Sequence, residues 1–165
     1  MLEVKVAMRK AAPEPWEVGD TNYSILLRLP GWKPTRGLGN GDVWLEISEI
    51  GSDGLDRTWI GCAVGTGQLG LELLFRNGLS GAATLVLRDK PHADVLAKIG
   101  FKKNEDGTRL FIPIAIDRLR LAKGYGENDL TDALGPVSKA VEAVVAAKTE
   151  IDAVIEAVRT KAKAK

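Results

Sequence analysis

The last thirty residues, Pro136 to Lys165, read PVSKAVEAVVAAKTEIDAVIEAVRTKAKAK. After Pro136 nothing in this stretch breaks a helix, and most positions are Ala, Val, Glu or Lys, so it predicts one long helix. Pro136 sits where a first helical residue belongs, because the N–H that proline lacks is unsatisfied there anyway. Val137, Val141, Val144, Lys148, Ile151, Ile155 and Val158 recur at alternating spacings of four and three, a heptad-like seam interrupted by one lysine. Ala140, Val145, Ala147 and Val154 widen the stripe beyond what a two-stranded coiled coil uses. A stripe of this width has to be covered, either by another copy or partner or by the sheet of its own chain. The pattern leaves both open. The closing RTKAKAK carries four positive charges, which complement the negative end of a helix dipole.

Upstream, the chain reads mainly as strands and turns. Leu2, Val4, Val6 and Met8 alternate with charged or small residues, the period of a half-buried strand, which Pro13 and Pro15 end. Tyr23 to Leu29 predicts a second strand, stopped by Pro30-Gly31, and Trp32 to Gly41 (WKPTRGLGNG) a loop. Residues 43–50 alternate again; the turn Gly51-Ser52-Asp53-Gly54 and the strand-like Thr58 to Val64 complete a predicted hairpin, with Trp44 and Trp59 as a cross-strand pair. Residues 68–76 (QLGLELLFR) fit either a short helix or a strand buried on both faces, and AATLVLR (82–88) reads as a buried strand. Pro91 to Ile99 predicts a short helix, with Asp89 near its start and Gly100 as its stop. Leu110 to Ile116 predicts a further strand, GYGEND (124–129) a connector, and Asn128 or Asp129 a cap for a helical turn ending at Gly135. The expected fold is α+β: a mostly antiparallel sheet with one or two short helices over residues 1–126, then a helical segment, 127–165, that packs on this domain or on another subunit.

Composition narrows the function classes. With 45% apolar and 27% charged residues the chain is expected to fold, and a net charge of +1 selects neither nucleic acid nor an anionic surface. Cys62 is the single cysteine, which excludes an intramolecular disulfide and multi-cysteine metal sites. No apolar run approaches the roughly 20 residues that span a bilayer, and the first residues lack the apolar centre of a signal peptide. No membrane association is expected, and the location predicted is cytoplasmic.

Residues 64–70, Val-Gly-Thr-Gly-Gln-Leu-Gly, match G-x-G-x-x-G. Such a loop exposes backbone N–H groups and can hold pyrophosphate where a helix starts behind it. That makes Gly65, Thr66, Gly67 and Gly70 candidate ligand-binding residues; the same residues also suit a turn between two antiparallel strands, 58–64 and 68–76. The segment LVLRDKPHADVLAKIGFKK (85–103) resembles the late strand, helix and Gly-Phe turn of the GCN5-related acetyltransferases. In that family an upstream glycine-rich loop holds the coenzyme A pyrophosphate, and Arg36-Gly37-Leu38-Gly39-Asn40-Gly41 fits R-x-x-G-x-G. The resemblance implies Arg36 and Gly39 as binding residues.

Catalytic constellations are scarce. His92 is the sole histidine and stands at a helix start, where a surface or capping role is expected; no histidine pair or G-x-S-x-G elbow occurs. Cys62 lies in an apolar run, which predicts a buried, inert thiol. Glu46, Glu49, Glu72 and Asp89 form a carboxylate site only if the fold brings them together. Trp32, beside Arg28, Lys33 and Arg36, either anchors a partner or stacks a base, or folds back onto the core. The leading expectation is a non-catalytic binding or assembly module without cofactor or metal. It self-associates, as a homo-oligomer, or binds a protein partner through Val141, Val144, Ile151, Ile155 and Val158, with Trp32 and Lys33 as further contacts. The alternatives are a small acetyltransferase-like or nucleotide-binding enzyme using a glycine-rich loop, and a nucleic-acid binder using the basic loop and tail.

Overall fold

The computed structural model describes residues 2–20, 24–32, 42–50, 68–104, 107 and 109–164. Six strands form one antiparallel sheet: β1 (Glu17–Asp20), β2 (Ile25–Arg28), β3 (Val43–Ile50), β4 (Gln68–Phe75), β5 (Lys102–Lys103) and β6 (Leu110–Ile114), in the order β1-β2-β3-β4-β6-β5. Among the described residues six α-helices accompany it: α1 (Leu2–Ala11), α2 (Asn77–Val86), α3 (Lys90–Ile99), α4 (Arg118–Glu127), α5 (Gly135–Ala146) and α6 (Lys148–Lys163), with a short 3-10 turn at Pro30–Trp32. The chain is thus α+β with an antiparallel sheet, as the alternation in 43–50 and 110–114 implies. β3 and β4 are the central pair, matched over their full lengths from Val43↔Phe75 to Ile50↔Gln68. The ambiguous 68–76 is therefore a strand, and a deeply buried one, with Leu69, Gly70, Leu71, Glu72 and Leu73 all inside.

One face of the sheet carries Ile25, Leu27, Val43, Leu45, Leu69, Leu71, Leu73, Ile112 and Ile114, all in a single core cluster. Helices close that face. α5 lies on β4, β6 and α1, and α6 lies on α2 and α3. In α5 the buried positions are Val137, Ala140, Val141 and Val144; in α6 they are Ile151, Val154, Ile155 and Val158. Each set follows the i, i+3, i+4, i+7 spacing of one helix face. The wide stripe is thereby covered within its own chain. Cluster members run from Val4 to Val158, so the C-terminal segment shares its core with the sheet.

Three expectations are corrected. The single long helix is two, interrupted at Ala147 (φ −99, ψ 24). Alanine is the best helix former, so the residue type does not demand this break. The two halves pack on different partners, and the course changes beside Lys148, the one polar position in the seam. The predicted N-terminal strand is α1, because Val4 and Met8, with Ala12 beyond, also satisfy helical spacing and are the residues buried, while Leu2 and Val6 face outward. The predicted buried strand at 82–88 is mostly α2: Ala82, Ala83 and Val86 form its inner face, and the two alanines let α6 come close.

Helix ends agree better with local chemistry. Gly100 (φ 110) ends α3 with Phe101 N–H donating to Leu96 O and Gly100 N–H to Ala97 O, a Schellman motif. The supposed connector 124–129 instead forms the end of α4, closed in the same way by Asn128 (φ 55), with Asp129 N–H bonding Gly124 O at 2.9 Å. Gly124 has no room for a side chain, since a Cβ there would lie 2.5 Å from Asp129 O. Asp129 accepts from Thr131, which holds its carboxyl below the usual range. Lys5 ties α1 to β1 by a 2.7 Å bond to Asp20 and lowers that carboxyl likewise. Among the described residues no helix is long and apolar enough to cross a membrane.

If α6 is part of the core, Ile151→Ala, at a fully buried position, costs about 2–5 kcal/mol. Leu119→Ala on α4, at a residue 82% exposed, stays within about 0.5 kcal/mol. Urea midpoints of the two variants measure both; equal losses would contradict the packing.

Candidate functional site

The polar site of this fold lies where β4 outruns its neighbour. β6 pairs with β4 only over Leu69–Glu72, and β4 continues through Leu73, Leu74 and Phe75. A cleft of about 250 Å³ opens beside the end of β4, between α2 and the β5–β6 hairpin. Ser80, Ala83, Thr84 and Leu87 form one wall, and Lys103, Gly107, Arg109 and Leu110 the other. Asn104 shapes the hairpin, accepting from Arg109 N–H at 2.8 Å through its side chain and from Gly107 N–H at 3.0 Å through its carbonyl.

Glu72 is the one fully buried charged side chain among the described residues. It points to the sheet face opposite the main core, in register with Glu46 on β3 and Phe111 on β6. Arg109 reaches it with both prongs, Nε to Oε1 at 2.8 Å and Nη2 to Oε2 at 2.6 Å, while Nη1 donates to Glu49 O at 2.6 Å. This forked geometry is the strong form of a carboxylate–guanidinium contact. One side chain thus pins the hairpin to both central strands. Glu49 Oε1 is buried nearby without a hydrogen-bond partner.

Two more cations line the cleft. Lys103 donates to Leu87 O at 3.0 Å, satisfying a carbonyl at the α2 C-terminus, and Arg88 follows directly in the chain. Among the described residues no carboxylate pairs with either. Among the described residues the cleft thus presents Arg88, Lys103 and Arg109 and one carboxylate, Glu72, which Arg109 already holds.

The residues singled out by sequence fare differently. Gly65, Thr66 and Gly67, Lys33, Arg36 and Gly39, and also Cys62 and Trp59, lie outside the described residues. Gly70 sits inside β4, between Ser48 and Pro113 in register, with the Phe111 ring where a Cβ would be (2.6 Å). A strand, not a helix, follows the G-x-G-x-x-G match, so the helix N-terminus that a pyrophosphate loop needs is missing there. The strand that the acetyltransferase resemblance requires before α3 is likewise the helix α2.

Trp32 folds back. Its Nε1 donates to Asp152 Oδ1 at 2.8 Å, and its ring meets Trp16 edge to face with centroids 5.3 Å apart. Lys148 pairs with the same Asp152 at 2.6 Å, and Arg159 bridges to Gly31 O, Asp42 and Glu156. Beside them is a hollow of about 450 Å³ with mostly apolar walls, including Pro15, Pro30 and Ile155, but the charged groups around it are engaged with one another. Val141, Val144, Ile151, Ile155 and Val158, expected as partner contacts, are buried in the core of the chain itself. His92 Nδ1 stands 3.0 Å from Asp89 Oδ2 at the start of α3, a local contact of the expected kind. The four carboxylates do not form one group: Glu46 and Glu72 are cross-strand neighbours, but Glu46 accepts from Trp44 Nε1, Glu72 is held by Arg109, and Asp89 is engaged at α3. Among the described residues no three His, Cys, Asp or Glu side chains are placed to hold a metal ion.

Comparison with protein families, with curated proteins and with solved structures finds no match to this chain.

Arg88, Lys103 and Arg109 were not among the sequence candidates. Glu72 offered the available signal, a lone carboxylate inside the apolar run LGLELLF, which burial forces to find a cation. Nothing local points to a partner 37 residues away.

Removing one side of this pair strands the other. Arg109→Leu leaves Glu72 uncompensated and costs about 3 kcal/mol, whereas Arg109→Leu with Glu72→Leu recovers much of the loss. Urea unfolding of the two variants decides it, and a double variant no more stable than the single would show that the pair is not the clamp described.

Proposed function

We propose that the protein is a non-catalytic binding module whose cleft between α2 and the β5–β6 hairpin takes an anionic ligand. The observation that carries this reading is the charge imbalance of the cleft among the described residues: Arg88, Lys103 and Arg109 line it, and Glu72, the one described carboxylate there, is spent on Arg109. The resulting excess of positive charge in a partly enclosed hollow favours an anion over a neutral or cationic ligand. Among the described residues, the Thr84 hydroxyl donates to Ser80 O, and the Glu72 carboxylate cannot leave its guanidinium without being stranded. The partner contact thereby moves from the C-terminal seam, which is used up in the core, to a polar site on the sheet end.

Thermal unfolding in increasing inorganic phosphate, at constant ionic strength, tests the reading. A bound anion at 100 times its dissociation constant adds about 2.7 kcal/mol, so the midpoint rises. Arg88→Ala with Lys103→Ala removes most of that rise. Phosphate excluded from the surface stabilises any protein to some degree, so an equal rise in the variant and the parent would refute the site.

A further inference from the structure

We draw no further inference here: the strongest candidate, the groove of about 280 Å³ between α1 and the α4–α5 connection with Leu2 and Val6 exposed on its rim, is an unpartnered apolar face, and nothing in the structure shows what covers it.

Discussion

The burial of one apolar stripe holds this molecule together. Without α5 over β4 and β6, the leucines and valines of the sheet face, Leu45, Leu69, Leu71 and Ile112 among them, would lie open to water. Without α6, the small inner face of α2 would have no partner. Each buried Val or Ile side chain contributes on the order of 1.5–3 kcal/mol, and the two helices supply seven such positions beside Ala140, two of them isoleucines of α6 that are wholly inside. α1 completes the layer by lying across α5 and the β1–β2 edge.

The cleft is a consequence of that arrangement. α2 is held against α6, so it stands beside the sheet end instead of lying flat over it, and the hairpin on the far side is anchored by Arg109 to Glu72 and Glu49. Between these two walls the end of β4, Leu73 to Phe75, forms the floor of the cleft. The charged lining follows from the same geometry. Lys103 is at the hairpin because it reaches the carbonyl at the end of α2, and Arg88 is there because that helix has just ended. The walls are thus set by core packing and one buried ion pair, which leaves Arg88 and Lys103 available to a ligand.

Much of the fold was legible where the signal is local. The strand at 43–50 follows from alternation, those at 25–28 and 110–114 from short apolar runs bounded by turn residues, and α3 from its proline start and glycine stop. Failures occurred where two periods coincide or where a distant contact decides. Val4 and Met8 belong equally to a period of two and to a helical i, i+4 pair, and only burial on α5 separates the readings. Residues 82–88 carry leucine and valine enough for a strand, yet Gly78, Ser80 and Gly81 are tolerated in the exposed turns of a helix whose inner face is alanine. The break at Ala147 has no local cause and arises from packing on two different surfaces. The cleft was legible only through Glu72, a charge in an apolar run. Its partner, Arg109, comes from a hairpin far along the chain.

The central claim is that the C-terminal stripe is satisfied inside its own chain. The most direct measurement is the urea unfolding midpoint of the full chain over about a hundredfold range of protein concentration, since stability that depends on a second copy varies with concentration. The account predicts one unchanged midpoint. A midpoint that rises steadily with concentration would mean that a neighbouring molecule covers the stripe, and would contradict it.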